Sequence, residues 1–526
     1  MIRIRDVIVP ERHSEEDLRF HAAQRLKLRA SDIAAVKIFR RSLDARKKPE
    51  LFWVYTLDVS LRSGEGALLR RCRDPKISRA ESFRYEIPQK QSDTRPVVVG
   101  FGPAGMFAAL VLALAGLKPI VLERGEPAPE RRKKVEAFWA GGALDPESNV
   151  QFGEGGAGTF SDGKLNTGTK NERCRWVLEQ FVRAGAQKEI LYDAKPHVGT
   201  DVLFTVVQNL RQRILSLGGE VRFGAKLTEL SQENGRLTGA IYAQNAETHT
   251  LPCDRLILAV GHSARDTFRR LHETGIPMEP KAFSMGARIE HRQKTVDLAQ
   301  YGKARGALPP ADYKLSCRLP DGGSAYTFCM CPGGYVVAAA SQTGGIVTNG
   351  MSCAARDGEN ANAALLVTVK PEVFPYPGAL GGMLWQEEIE HRAFLAAGQT
   401  YRAPAQTVGD FLAHRPSQET GAVAPSYRPG VTLCDLHDVL PEVLTHTMEQ
   451  AIPTLDGALS GFAAPQAVLT APETRSSSPV RIVRGDDRQS ALRGLYPCGE
   501  GAGYAGGIMS AAVDGMLCAE AILQAL

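Results

Sequence analysis

The chain has 526 residues, which is enough for about three to four domains of roughly 150 residues each. Hydrophobic residues make up 43% and charged residues 23% of it, and these near-average values exclude a disordered, collagen-like or coiled-coil protein. The net charge of +5 is uneven, because residues 1–90 hold 21 Lys and Arg against 13 Asp and Glu. The basic excess therefore belongs to the N-terminal part, as expected of a separate domain.

The cysteines and the first residues bear on location. The ten cysteines include no Cys-x-x-Cys pair of a zinc site, and the first 20 residues are charged and lack the apolar core of a signal peptide. These features favour a cytoplasmic protein with reduced thiols. Residues 97–117 carry no charge and are long enough to span a bilayer, but the glycines near their start favour a buried strand, a turn and a buried helix.

Residues 1–90 predict a small basic α+β domain. Residues 2–9 alternate as a strand does, Ser14 and Asp17 form a capping box for a helix to about residue 28, and residues 35–41 and 51–61 predict two more strands. The basic run at 40–48 has two interpretations: a contact to nucleic-acid phosphates, or a solvated or docking surface. The second is favoured, because no aromatic stacking motif accompanies the charges.

Residues 96–124 carry a dinucleotide-binding fingerprint. An apolar strand leads into a glycine-rich turn, an apolar helix at 106–117 and a second strand at 119–122 that ends in an acid. The first glycine permits the tight turn, the second admits a pyrophosphate and the third lets the helix pack on the strand. The helix N-terminus attracts phosphates, and the acid can accept hydrogen bonds from ribose hydroxyls. The predicted cofactor-binding residues are Gly100, Gly102, Pro103, Ala104, Gly105, Glu123 and Arg124.

Three later segments favour FAD as the dinucleotide. A strand, a Gly-flanked acid and a helix to about residue 523 close the chain, which resembles the glutathione-reductase-type FAD proteins. The resemblance implies that the acid, usually Asp in those proteins, meets the ribityl and pyrophosphate, and that the helix points at the flavin. Strands at 255–260 and 220–231 resemble those that lie against FAD and adenine. The residues assigned in this way are Leu227, Gly261, Gly499, Glu500, Gly507 and Ile508.

A Gly-rich segment at 150–165 follows the fingerprint. Its position favours a contact to a phosphate or a ribityl chain, and the alternative is a mobile glycine-rich loop. The predicted cofactor-binding residues of this segment are Gly156, Thr159, Ser161, Asp162 and Lys164.

Together with motifs at 41–47, 328–334, 347–351 and 473–479, these segments resemble the uncharacterised FAD-dependent dehydrogenase family over nearly the whole chain. The resemblance implies an α/β fold in which a Rossmann-like FAD-binding domain carries an inserted α+β substrate domain and a small N-terminal α+β domain. The predicted boundaries are 1–90 for the small domain, 91–275 and 470–526 for the FAD-binding domain, and 276–469 for the inserted substrate or cap domain.

The substrate side is less defined by the sequence. Cys329 and Cys331 are read either as a redox pair or nucleophile near the flavin, or as inert buried thiols; in a regular strand their Cα atoms lie near the upper limit for a disulfide. Arg475 and Arg481 are candidates for holding an anionic substrate, with Asn349 in the same cavity. His262 follows the Gly261 turn and is assigned a structural role.

No catalytic acid or base is assigned, and His391, His414 and His437 show no metal-ligand spacing, so no metal is predicted. A second nucleotide fingerprint is absent from the sequence, so NAD(P)H is expected at most as a transient reductant. The function predicted is an FAD-dependent oxidoreductase that transfers a hydride through flavin N5 on a small-molecule substrate. The alternatives are a flavin-dependent RNA-modifying enzyme, which would use residues 1–90, and an FAD electron relay to a protein partner.

Overall fold

The computed structural model describes residues 1–81, 83–165, 168 and 171–526. Within them the chain forms 23 strands and 12 α-helices. The strands are β1 (Ile2–Pro10), β2 (Ile33–Asp44), β3 (Phe52–Leu61), β4 (Ile77–Arg79), β5 (Val97–Val99), β6 (Ile120–Leu122), β7 (Glu220–Arg222), β8 (Lys226–Glu233), β9 (Arg236–Gln244), β10 (Glu247–Pro252), β11 (Leu256–Leu258), β12 (Met278–Pro280), β13 (Phe283–Arg292), β14 (Ser316–Arg318), β15 (Ser324–Cys331), β16 (Tyr335–Ala338), β17 (Thr348–Met351), β18 (Asn360–Val369), β19 (Ala403–Thr407), β20 (Val431–Leu433), β21 (Val468–Glu473), β22 (Val480–Ile482) and β23 (Leu495–Pro497). The helices are α1 (Glu15–Leu26), α2 (Glu65–Arg71), α3 (Pro103–Leu114), α4 (Ala128–Trp139), α5 (Arg173–Arg183), α6 (Thr200–Ser216), α7 (Arg265–Glu273), α8 (Gln293–Tyr301), α9 (Gly381–Ala396), α10 (Val408–Leu412), α11 (Glu442–Asp456) and α12 (Ile508–Gln524).

A parallel sheet of five short strands forms the centre of the nucleotide-binding unit, in the order β23-β11-β5-β6-β7. Its central strands are buried along their whole length, as expected where both faces of a parallel sheet are covered. Helices α3 and α12 pack on one face. The antiparallel sheet β10-β9-β8 packs on the other. The carboxyl ends of β5 and β6 meet at one edge, where doubly wound folds bind ligands.

The seven-stranded sheet β14-β15-β18-β13-β21-β19-β20 forms the cap. Its pairs are antiparallel except β19 with β20, and its core is separate from that of the nucleotide-binding unit. The predicted division at residue 470 falls within β21, which pairs with β13 and β19. We therefore propose a domain boundary just after this strand. The predicted α/β fold class is confirmed.

Several predicted elements, including two in the nucleotide-binding unit, have different bounds in the structure. The strand predicted at 220–231 is interrupted, because Gly224 has a φ of +63° and turns the chain from the parallel sheet (β7) into the antiparallel one (β8). The helix predicted at 106–117 begins at Pro103 and ends at Leu114. It lies within the uncharged segment considered as a membrane span, and no helix in the described part of the chain is long and apolar enough to cross a membrane.

The N-terminal unit is a four-stranded antiparallel sheet in the order β2-β3-β1-β4, and the capping box of Ser14 and Asp17 is present at α1. Its basic run contacts the rest of the chain. Arg41 Nε lies 2.7 Å from Asp193 Oδ1, and Lys48 Nζ donates to the main-chain oxygen of Ala299 at 2.5 Å. These contacts favour the docking interpretation of the basic run.

Helices α3 and α12 pack so closely that the contact requires glycine. A Cβ at Gly515 would lie 2.0 Å from the main-chain oxygen of Ala104. We expect Gly515→Ala to push the helices apart, to cost about 1–3 kcal/mol of unfolding free energy and to lower the melting temperature. The matched control is Gly66→Ala in α2, where a Cβ would meet only the flexible Arg70 guanidinium at 3.7 Å and which should be neutral or slightly stabilising. Equal melting temperatures for the two variants would contradict the packing argument.

Candidate functional site

A cavity of about 770 Å³ lies between the nucleotide-binding unit and the cap, within the range of roughly 300–1,000 Å³ usual for ligand pockets. Most of the residues predicted from sequence converge on it. Fourteen of the 18 predicted cofactor-binding residues line it: Gly100, Gly102, Pro103, Ala104, Glu123, Arg124, Gly156, Ser161, Lys164, Leu227, Gly261, Glu500, Gly507 and Ile508. Three of the substrate candidates line it as well: Cys329, Asn349 and Arg475.

The glycines of the fingerprint have separate roles. Gly100 has a φ of +95°, and a Cβ there would lie 2.3 Å from the main-chain oxygen of Ala259. A Cβ at Gly105 would lie 1.9 Å from the Gly100 oxygen, so Gly105 supports the turn from behind and does not line the cavity. Gly102 begins α3 without a side-chain cap, and its bare main chain faces the cavity. The turn therefore exposes unpaired helical N–H groups to a ligand.

Glu123 is tied into the protein by its carboxylate, which accepts three main-chain N–H groups. The donors are Phe101 at 2.7 Å, Gly125 at 2.9 Å and Gly153 at 3.0 Å. Since an ionised carboxylate offers about four acceptor positions, one remains for a ribose hydroxyl. The predicted ribose contact stays a prediction, and the acid also joins three loops.

The Gly-rich segment is held from inside by Arg131 of α4, which is fully buried. Its guanidinium donates to main-chain oxygens of Asn149 (2.8 Å), Val150 (2.8 Å), Glu154 (2.7 Å) and Gly156 (2.9 Å). Sequence reasoning missed this residue, because nothing distinguishes it from the exposed cations beside it in α4. The bonds favour the cofactor-contact interpretation of the segment over a mobile loop.

Four predicted cofactor-binding residues lie behind the cavity wall. Asp162 is buried and forms an ion pair with Arg356, whose Nε lies 2.9 Å from Oδ1. The hydroxyl of Thr159 donates to the main-chain oxygen of Glu154 at 3.3 Å. Gly499 packs against the Ala104 side chain, since a Cβ there would lie 2.7 Å from Ala104 Cβ, and it donates its N–H to Asp514 at 2.8 Å. The structure thus gives these residues partners within the protein, because a buried charge or hydroxyl must be satisfied there.

Glu500 and His262 meet at the cavity because they follow the paired parallel strands β23 and β11. Glu500 accepts the N–H of Gly507 at 3.2 Å, and His262 Nε2 lies 3.8 Å from Glu500 Oε1. Burial raises the pKa of Glu500 to about 7 and lowers the pKa of His262 to about 3, so this histidine is neutral. Its buried Nδ1 has no partner among the described residues, which favours a ligand contact over the structural role predicted for it.

The cap side of the cavity is organised by Arg288 of β13, which is fully buried. It donates to Glu473 at 2.8 Å, to the main-chain oxygen of Cys329 at 2.9 Å and to Asn349 Oδ1 at 3.0 Å. Burial raises the pKa of Glu473 to about 7. Arg288 and Glu473 were missed as site residues, although Glu473 begins one of the family motifs.

The two arginines predicted to hold an anionic substrate lie in different surroundings, and their joint role stays a prediction that the geometry does not favour. Arg475 reaches the cavity, but its guanidinium is paired with buried Glu390 at 2.6 Å. Arg481 is the outward-facing residue of β22, outside the cavity lining, and lies over the Tyr504 ring at 5.5 Å. Arg481 faces outward because the two residues that flank it in β22 are buried. Cys331 is also buried behind the cavity wall.

Two of the histidines without metal spacing in sequence meet in the cap. The rings of His414 and His437 stack at 4.4 Å and 22°, and His437 bridges Asp435 (2.6 Å) and Glu449 (2.5 Å). Glu449 also lies 3.2 Å from His414 Nε2, so the three side chains bring possible metal-ligand atoms within 4.8 Å of one another. The absence of a metal stays a prediction.

Two family models match parts of the chain. Residues 282–476 match the family described as FAD-dependent protein, C-terminal domain-like, and residues 1–60 match a domain of unknown function. An uncharacterized protein of Clostridium beijerinckii is 46% identical over 510 residues, which cover 95% of this chain and 94% of that protein. The chain therefore belongs to the FAD-dependent dehydrogenase family that its motifs resemble.

Solved structures of other proteins show similarity at low identity. A glycerol-3-phosphate dehydrogenase from Bacillus halodurans complexed with FAD is 11% identical with a TM-score of 0.36, over 82% of this chain and 64% of that chain. A geranylgeranyl bacteriochlorophyll reductase-like protein from Thermoplasma acidophilum is 14% identical with a TM-score of 0.35, over 82% and 79%. An L-proline dehydrogenase from P. horikoshii is 12% identical with a TM-score of 0.33, over 83% and 94%. Sequence identities and TM-scores this low give no information about the substrate of this chain.

Removing the Arg131 guanidinium should damage the Gly-rich segment. We expect Arg131→Met to cost at least about 3 kcal/mol, because several buried carbonyls lose their donor, and to reduce the FAD retained per chain after gel filtration. The control is Arg132→Met on the same helix. Arg132 and its partner Glu136 are equally exposed, so loss of the Arg132 guanidinium should cost less than about 1 kcal/mol of unfolding free energy. If both variants melt and retain FAD like the wild type, Arg131 does not organise the segment.

Proposed function

We propose that the chain is an FAD-dependent oxidoreductase that transfers a hydride between flavin N5 and a small-molecule substrate held under the cap. The observation that carries the proposal is the cavity itself. It joins the glycine turn and helix N-termini of the nucleotide-binding unit to polar side chains of the cap sheet. Its apolar wall area with a few convergent polar groups is typical of a cofactor and substrate site.

The residues present fit FAD. Helices α3 and α12 both begin without a side-chain cap, and a Cβ at Gly156 would lie 3.0 Å from Gly102 Cα, so two bare main-chain stretches meet at the cavity. The unpartnered Nδ1 of His262 is a third feature that a ligand would satisfy. FAD, when bound, supplies the hydride acceptor, its N5 atom.

Each part of the cofactor has a suitable partner in the chain. We assign the pyrophosphate to the start of α3 with Gly102 and Gly156, and a ribose hydroxyl to the remaining acceptor position of Glu123. The N-terminus of α12 at Ile508 directs the positive end of the helix dipole into the cavity, which favours negative charge there. We assign Lys164 no contact with the cofactor, because its Nζ donates to the main-chain oxygen of Met330.

Glu473 is the group we propose for handling a proton on the substrate side. A carboxyl with a pKa near 7 can give up or accept a proton at neutral pH, as general acid–base catalysis needs. Arg288 holds it in place at 2.8 Å, and the same guanidinium positions Asn349, whose amide can orient a substrate. The sequence assigned no such residue.

The first test is an anaerobic visible spectrum of the purified protein, followed by stepwise NADH and NADPH. A flavin spectrum that bleaches with one of them supports NAD(P)H as a transient reductant. A flavin spectrum that persists supports a substrate or a partner protein as the electron source. Absence of flavin after FAD is added would contradict the proposal.

The placement of the pyrophosphate predicts the behaviour of Gly102 variants. Gly102→Asp brings bulk and negative charge to the α3 N-terminus, so the purified protein should be free of FAD. Gly102→Ala should fold normally, because the added Cβ meets only Gly156 Cα at 3.6 Å, and should bind FAD more weakly than the wild type. The measurement is the ratio of flavin to protein absorbance, with circular dichroism as the check of folding. Full FAD content in folded Gly102→Asp would refute the placement.

A further inference from the structure

Strand β15 has an irregularity where it enters the cavity wall. Phe328 pairs with Ala364 of β18 and Cys331 pairs with Asn362, so three steps on one strand face two steps on the other. The extra residue makes a β-bulge, a feature often found beside active sites. Cys329 within it has a φ of +42°, which is rare for a residue with a side chain and occurs where surrounding structure imposes it.

Cys329 and Cys331 both lie in the irregular stretch of β15. In a regular strand, residues two apart have Cα atoms about 6.6 Å apart, near the upper limit of about 6.8 Å for a disulfide, and here three steps of β15 fit against two steps of β18. The Cys331 thiol donates to the main-chain oxygen of Cys329 at 3.2 Å, so the hydrogen bond closes back onto the residue that carries the other thiol.

The surroundings divide the pair into a thiolate and a thiol. The hydrogen bond from Cys331, and then the positive charges of Arg288 and Lys164, hold the pKa of Cys329 well below its usual value. The same hydrogen bond and burial raise the pKa of Cys331. Cys329 lines the cavity and Cys331 is fully buried. An accessible thiolate with a buried partner thiol is the arrangement used in dithiol exchange.

We propose that Cys329 and Cys331 are a redox-active dithiol that exchanges two electrons with FAD in this cavity, and that small disulfides or dithiols are substrates of the site. This rests on the proposed function, because it needs FAD bound there. In the oxidising direction the Cys329 thiolate bonds to the Cys331 sulfur. The S–H bond of Cys331 breaks, and its proton and two electrons pass to oxidised FAD. The negative charge of the thiolate then appears on the reduced cofactor, so atoms, electrons and charge balance.

The reverse exchange serves a small disulfide. The Cys329 thiolate attacks one sulfur of the substrate and releases a thiolate, and Cys331 then displaces the second thiol to form the Cys329–Cys331 disulfide. Two electrons from reduced FAD restore the pair. Each step is a thiol–disulfide exchange or its two-electron reduction.

The experiment counts electrons and thiols in the FAD-loaded protein. Air-oxidised wild type is titrated anaerobically with dithionite, and thiols are counted in denaturant before and after the titration. We expect the wild type to consume about twice the reductant per FAD that Cys331→Ser consumes, because the disulfide takes a second electron pair. Its thiol count should rise to the full ten cysteines of the chain only after reduction.

Two further variants keep the result interpretable. Cys329 lines the cavity, so Cys329→Ser should abolish the extra consumption of reductant even if Cys331→Ser fails to fold. Cys317→Ser is the matched control, since Cys317 is a half-buried thiol on the neighbouring strand β14, outside the cavity lining; it should retain the doubled consumption. Fully reduced Cys317→Ser should also reduce hydroxyethyl disulfide, whereas Cys329→Ser should not.

Equal reductant consumption in wild type, Cys331→Ser and Cys329→Ser, together with a wild-type count of ten thiols before as well as after the titration, would overturn the proposal and leave the flavin function intact. If the protein binds no FAD, the function proposed above fails. The thiol count then still decides whether the two cysteines form a disulfide, and with no cofactor to exchange with, the redox proposal falls with it.

Discussion

A buried arginine and a buried glutamate organise the cofactor end of the cavity, and the rest of the site depends on them. Apart from one 3-10 turn at Ala157–Phe160, the Gly-rich segment forms no helix or strand, so its buried carbonyls and N–H groups must find partners elsewhere. Arg131 supplies donors to four carbonyls, and Glu123 accepts the N–H of Gly153. Burial lowers the pKa of Arg131 to about 10, which leaves it charged at neutral pH. Without Arg131 and Glu123, these buried main-chain groups would lack partners, and the segment would not keep its conformation beside Gly102.

Buried arginines paired with glutamates also organise the opposite wall of the cavity, which the cap forms. Arg288 with Glu473, and Arg475 with Glu390, are buried ion pairs that also bind main-chain or amide oxygens. Removing one partner of such a pair leaves an uncompensated buried charge and is costly. The polar groups that face the cavity are therefore fixed in position before any ligand arrives, which is what a catalytic site requires.

Local sequence patterns were sufficient to predict much of the fold. The strand, glycine turn and helix at 97–114 follow from apolar runs and glycine spacing, and the closing helix after Gly507 follows from the same signals. Prediction from sequence was poorer where one residue redirects the chain. Gly224 splits a predicted strand, and the bulge at Cys329 changes the geometry between Cys329 and Cys331. It also missed Arg131 and Arg288, since a buried arginine and an exposed one look alike in sequence.

The sequence by itself determined the nucleotide-binding unit and the family, and it predicted part of the cavity lining. These depend on short-range spacing within single continuous segments of the chain. Only the tertiary structure decided which charges are buried together. Asp162 faces Arg356, Arg475 faces Glu390 and His414 stacks on His437, each across a large separation or a turn in the chain. The physical reason is that the pairing of a buried charge is set by what packs around it, and packing joins residues that no local pattern relates.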